Sequence, residues 1–162
     1  MTEETELDAV VLERHLDAPA EVIWDLWTDP QHFAQWYGPD GAAIPSASMD
    51  VRVGGRRHVS MEVTTPNGPM RMWFTGEFLE VVPHERLVYT EAISDEDGNV
   101  LPPESAGMPP GHAVVTEVRV ELREKDGVTT MTVTHEGVPA NSPGAAGWSM
   151  ALAKLERLVR GD

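Results

Sequence analysis

The stretch Asp17–Pro39, DAPAEVIWDLWTDPQHFAQWYGP, decides how the chain is read. Asp17 stands where an N-cap is expected, Pro19 suits an early helical position, and Glu21 places an acid in the first turn, where it meets the positive end of the helix dipole. Val22, Ile23, Leu26 and Trp27 then share one helical face. Thr28-Asp29-Pro30 ends that helix, because the residue before a proline is pushed out of the α region. Asp29 is placed to cap a second short helix over Pro30 to Trp36, and the turn residues Gly38-Pro39-Asp40-Gly41 stop it.

On either side of these helices the period changes to two. Leu7 to Leu16 reads as a strand, with Val10, Leu12 and Arg14 alternating against Val11, Glu13 and His15. Downstream, Ala43, Pro45, Ala47, Met49 and Val51 alternate with Ser46, Ser48, Asp50 and Arg52, the pattern of a half-buried strand. Gly54-Gly55 turns the chain into a strand over Arg56 to Thr64, and Pro66-Asn67-Gly68-Pro69 makes a hairpin with Met70 to Val82. Pro83-His84-Glu85 leads to a strand over Arg86 to Ile93. His112 to Glu124 and Val128 to His135 pair about Lys125-Asp126-Gly127, where Asp-Gly is a strong hairpin signal. The last segment sets Trp148, Ala151, Leu152, Leu155, Leu158 and Val159 at helical spacing, after the breaker and cap residues Pro139 to Pro143. Between the strands, Ser94 to Gly111 holds four prolines and three glycines without hydrophobic periodicity, a long loop placed to act as a lid.

The expected architecture is α+β: a curved antiparallel β-sheet of about seven strands wrapped around a long C-terminal helix, with two short helices after the first strand. Residues 1–8 form an acidic flexible tail and 9–160 a single domain. A lone helix about 10 Å wide leaves part of a wide twisted sheet uncovered, so a cavity between them is the expected by-product. A chain of 162 residues can bury roughly 70% of its unfolded surface in one core. It has no cysteine, which excludes disulfides, thiolate metal sites and cysteine nucleophiles. Twelve Lys+Arg against 27 Asp+Glu give a formal net charge of −15, which repels nucleic acid and anionic headgroups. With an acidic start and no long apolar run, no membrane insertion and a cytoplasmic location are expected.

Four phrases, in order, resemble one family: the opening stretch, Met49-Asp-Val-Arg-Val-Gly-Gly55, Gly76-Glu-Phe-Leu-Glu-Val-Val-Pro83 running on to Glu91, and Gly147-Trp148. From about Val10 to Val159 the chain resembles the bacterial branch of the START-like (SRPBCC) helix-grip superfamily, named after activators of the heat-shock-protein-ninety ATPase. The resemblance implies the helix-grip fold and a cavity that holds a hydrophobic or aromatic molecule. It also implies two other roles: an enzyme of polyketide cyclase, hydrolase or self-sacrifice resistance type using the same cavity, and a chaperone-associated interaction module.

Large amphipathic side chains are the candidate cavity liners: Trp36, Tyr37, Trp73, Tyr89 and Trp148, with Leu152 beside Trp148 on the last helix. Trp24 and Trp27 are read more plainly as core. Among polar strand residues that could face inward are Arg56, Arg57, His58, Glu62, Glu91, His112, Thr116 and His135, and a one-residue slip of register would exchange them. Glu91 and Thr116 are placed among the ligand contacts. Glu91, His58 and His112 are the candidate acids or bases, although a carboxylate answered by a neighbouring arginine or facing water is the simpler expectation for Glu91.

The six histidines show no HxH or HExxH spacing, there is no Gly-x-Ser-x-Gly elbow, and Gly54-Gly55 lacks the strand-to-helix setting of a phosphate loop. No metal and no cofactor are expected. The first reading is therefore a binder of a small hydrophobic or aromatic molecule without obvious catalytic machinery. Edge strands leave a homodimer open.

Overall fold

The computed structural model describes residues 9–106, 113–138 and 143–161. Among them seven strands form one antiparallel sheet. These are β1 (Ala9–Leu16), β2 (Ala43–Met49), β3 (Arg56–Thr65), β4 (Gly68–Val82), β5 (Arg86–Ser94), β6 (Thr116–Lys125) and β7 (Val128–Glu136). Their order across the sheet is β1-β7-β6-β5-β4-β3-β2, so from β2 to β7 each strand lies beside the next in sequence, with the long loop after Ser94 joining β5 to β6, and β1 pairs with β7. Helices α1 (Ala20–Thr28) and α2 (Pro30–Phe33) follow β1, and α3 (Pro143–Arg160) closes the chain.

The hairpin chemistry is local. Asp126 and Gly127 both take positive φ, 54° and 81°, the backbone that a two-residue turn between twisted strands requires. Gly76 answers a different need: a Cβ there would lie 1.8 Å from the Thr90 carbonyl oxygen, so only glycine lets β4 approach β5 at that point.

Register separates the two faces of the sheet. On the inner face Tyr89 lies opposite Val118 and Val118 opposite His135, while Leu87, Val120 and Val133 continue the buried layer. α3 lays Trp148, Ala151, Leu152 and Leu155 on this face, all buried, and Arg14 of β1 reaches Glu156 of α3 at 3.0 Å. A helix thus covers one sheet face, as the 3.6-residue spacing of its apolar positions requires.

Several local expectations are corrected. Asp17 does not cap α1. Pro19 occupies the cap position in extended geometry and offers no side-chain acceptor; the Ala20 amide is answered at 2.7 Å by Glu124 Oε1 from the far end of β6. Val22 is exposed because the buried stripe of α1 is Ala20, Ile23 and Trp27. Asp29 does cap α2, accepting from the amides of Gln31 and His32, but the helix is a single turn that ends at Phe33 rather than Trp36.

In β2 the pairing register shifts between Ala43 and Ser46, which leaves Pro45 exposed and turns Ile44 toward cover. β6 begins at Thr116, and Val114 and Val115 before it are about half exposed. The first part of the 94–111 loop, up to Leu101, folds back beside β5 and meets the outer-face His58. The Asp95 side chain accepts from the amides of Asp97 and Asn99, the Leu101 amide returns to the Ile93 carbonyl, and the Glu96 carbonyl meets His58 Nε2 at 3.0 Å. The tail at 1–8, the end of that loop, and the segment expected to cap α3 lie outside the described residues.

Candidate functional site

Where α2 and β5 meet the inner face, Arg57 of β3 is buried among aromatic rings. Its guanidinium carbon stands 4.1 Å from the ring centre of Tyr89, 5.1 Å from Phe33 and 5.4 Å from Tyr37. The ring faces present their negative quadrupoles to the cation, which supports the charge at a buried position. The turn that follows α2 makes this possible: the Tyr37 amide donates to the Phe33 carbonyl at 3.2 Å, and the two ring centres stand 4.3 Å apart.

One carboxylate oxygen organises the polar atoms. Glu91 Oε2 accepts from Tyr37 Oη at 2.8 Å and from Arg57 Nη1 at 3.2 Å, with the two ion-pair side chains 11% and 1% exposed. Burial pulls the arginine toward losing its proton, but Tyr89, Tyr37 and Glu91 outweigh it, so the guanidinium stays charged. Burial, with Glu91 and Tyr89 adding to it, holds the Tyr37 phenol well above its ordinary range, and burial pushes Tyr89 up to about 12. Both tyrosines are neutral donors at physiological pH.

A second chain adjoins the first. An indole N–H only donates, so the 2.8 Å contact from Trp148 Nε1 makes His135 Nδ1 an acceptor. The imidazole proton then sits on Nε2, which donates to Thr116 Oγ1 at 2.7 Å, and that hydroxyl donates onward to the Glu91 carbonyl at 3.1 Å. Burial lowers the His135 pKa; Glu91 opposes this and Arg57 adds to it. The neutral tautomer is the one all three contacts need.

Tyr37, Tyr89, Glu91, Thr116 and Trp148, five of the residues expected at the ligand site, therefore come together. Leu152 lies one turn after Trp148 and is fully buried in the same core. Trp36 stands behind the cluster: its Nε1 donates to the Leu26 carbonyl at 2.8 Å and its ring meets Trp27 edge-on at 4.6 Å and Phe33 and Tyr37 at 5.4 and 5.6 Å, so it ties the cluster's rings to α1. Trp73 and His58 stack on each other at 4.9 Å on the outer face, because His58 follows the inward Arg57 by one residue. His112 lies outside the described residues.

The centre of the cluster, Arg57 with His135, stood among the inward-facing polar possibilities but not among the expected ligand contacts. The Arg56-Arg57-His58 run gives no sign of which member turns inward. The signal that does exist is indirect: Val59 and Met61, at the same parity as Arg57, are apolar.

Asp25, Asp29 and His32 bring ligand-type atoms within 4.8 Å of one another, but they sit on the exposed side of the short helices. Asp29 there is already the cap of α2, and Asp25 is hydrogen-bonded to the imidazole of His32.

Comparison with known proteins adds three findings. The family model described as activator of Hsp90 ATPase homolog 1-like protein matches residues 17–160. No curated protein matches the chain. Among solved structures, a protein from Chromobacterium violaceum is 27% identical with a TM-score of 0.76, over 96% of this chain and 99% of that one. The AHSA1-like protein of Aeromonas hydrophila is 24% identical with a TM-score of 0.68, over 94% of this chain and 92% of that one. The AHSA1 protein of Silicibacter pomeroyi is 20% identical with a TM-score of 0.68, over 94% and 97% of the two chains. The last two likenesses speak for the fold. Among the described residues no helix is long and apolar enough to cross a membrane.

Proposed function

The chain belongs to the activator of Hsp90 ATPase homolog 1-like family, and from that premise we propose that it binds a small hydrophobic or aromatic molecule between the inner sheet face and α3. The fold is of a kind compatible with a ligand cavity there. The observation that carries the reading is the buried polar cluster Arg57–Glu91–Tyr37 in an otherwise aromatic environment. Desolvating an ion pair rarely improves stability over well-packed apolar side chains. A chain that keeps one at the meeting point of α2, β3 and β5, next to Trp148 of α3, has placed recognition chemistry there. The ligand contacts would be Tyr37, Tyr89, Glu91, Thr116, Trp148 and Leu152, with Arg57 at their centre.

An enzyme using the same face finds less support. Glu91, the candidate acid or base at this cluster, has one carboxylate oxygen already engaged by the Arg57 guanidinium and the Tyr37 phenol, so that oxygen is committed to the cluster's own contacts. The chaperone-linked role in the family's description has no counterpart in a cluster that faces the interior.

The test is titration with the neutral apolar dye N-phenyl-1-naphthylamine. One dye per chain with enhanced emission is expected. Leu152→Trp, which fills the space beside Trp148, is expected to remove that binding, and Val11→Trp on an exposed position to leave it unchanged. No saturable binding to the folded wild-type chain would refute the reading.

A further inference from the structure

Two buried polar atoms of the cluster, Arg57 Nη2 and Tyr89 Oη, make no hydrogen bond of good geometry, although the Tyr37 side chain stands near enough to act on both residues. Both residues are 1% exposed, and the Arg57 guanidinium rests on the Tyr89 ring. Buried donors are nearly always satisfied, so two orphans on touching side chains call for a common explanation. The other orphaned atoms, His58 Nδ1 and Arg119 Nε, belong to residues of the opposite parity and so to the outer face.

The chemistry of the pair limits what answers it. Arg57 Nη2 only donates, and the Tyr89 phenol keeps its proton and donates as well. A hydrocarbon leaves both unmade. A carboxylate or phosphate would answer them, but Glu91 already neutralises Arg57, so a second anion would bring an unmatched negative charge into a buried site beside that carboxylate. A cation would face the guanidinium. A carbonyl oxygen fits, since it is neutral and its two lone pairs take two donors.

Resting on the reading proposed above, we propose that the site selects neutral apolar molecules that carry a carbonyl oxygen, accepted jointly by Arg57 Nη2 and Tyr89 Oη. The aromatic and aliphatic side chains bind the skeleton, and the two donors choose among skeletons by their oxygen.

Three probes of one tricyclic skeleton test this: fluorene, 9-fluorenone and fluorene-9-carboxylate, titrated by calorimetry against the wild-type chain and Tyr89→Phe. Fluorenone is expected to bind about tenfold or more tighter than fluorene, the gain of hydrogen bonds to a charged and a neutral donor, and tighter than the carboxylate. Tyr89→Phe removes one of the two donors and is expected to reduce the ratio of fluorenone to fluorene affinity about fivefold. The carbonyl stretch of bound fluorenone should move to lower wavenumber in the wild type and part of the way back in Tyr89→Phe.

Equal affinity for fluorene and fluorenone would leave ligand binding standing and overturn the carbonyl selection; a buried water answering the two donors would give that result. Tightest binding of the carboxylate, or an unchanged ketone preference in Tyr89→Phe, would overturn it too. Failure of all three probes to bind would overturn both readings.

Discussion

Glu91→Gln isolates what holds the buried cluster together. The substitution keeps size and one oxygen acceptor but removes the one carboxylate that, among the described residues, is paired with Arg57, whose side chain is 1% exposed. The guanidinium cannot respond by losing its proton, since arginine stays charged in proteins. An uncompensated buried charge of this kind costs about 3–5 kcal/mol, and the residual hydrogen bond to the glutamine oxygen places this case near the lower end. For a domain of this size each kcal/mol shifts Tm by roughly 2–4 °C, so the loss should be about 6–12 °C. Urea unfolding followed by tryptophan fluorescence measures it, with the m-value checking that the folded state is unchanged. Restoring an apolar core in Arg57→Met/Glu91→Leu/Tyr37→Phe should bring stability back to within about 1 kcal/mol of wild type, because matched apolar replacement of a buried ion pair is often neutral. A Glu91→Gln protein within about 0.5 kcal/mol of wild type would refute the argument, since that is the range of surface substitutions.

Three further outcomes follow from other parts of the molecule. His135 has a lowered pKa in the folded chain, so the unfolded chain takes its proton more readily; stability is full above about pH 6.5 and falls as pH drops through the folded value. His135→Gln, which can accept from Trp148 and donate to Thr116 without titrating, should flatten that part of the urea-midpoint profile between pH 5 and 7.5, and an unchanged profile would contradict the assignment. Glu124→Ala removes the acceptor of the Ala20 amide; a loss of about 1 kcal/mol by urea unfolding is expected, and none at all would mean that the cap from β6 is not formed. Gly76→Ala drives a methyl into the Thr90 carbonyl oxygen and should cost about 4 kcal/mol or more, the range of the largest single-residue effects; a fully stable variant would show that β4 and β5 are spaced more widely.

The parts of the fold that could be read from the sequence are those governed by local chemistry. Pro30 after Asp29, the Asp126-Gly127 turn and the spacing of Trp148, Leu152 and Leu155 each act within a few residues, and each predicted its element. What stayed hidden depends on distant partners or on parity. The cap of Ala20 comes from Glu124, more than a hundred positions away, so Asp17 looked sufficient. At the candidate site, Tyr89, Glu91 and Thr116 stand on strands, Tyr37 just after α2 and Trp148 on α3; size and polarity picked these side chains out, and the structure brings the five together. Arg57 and His58 exchange roles with a shift of one residue, and nothing in Arg56-Arg57-His58 settles the shift. Trp36 misled for a related reason, since a tryptophan that binds two helices together and one that lines a cavity have the same composition.

The central claim is that the inner face of the sheet, roofed by α3, holds a small apolar molecule. Native mass spectrometry of the chain purified from its own cells tests this most directly. The account predicts the 17.8 kDa chain together with a noncovalent adduct of a drug-sized, oxygen-containing molecule, absent from Leu152→Trp. The bare chain mass alone under gentle ionisation, in a preparation that also fails to bind N-phenyl-1-naphthylamine, would contradict it.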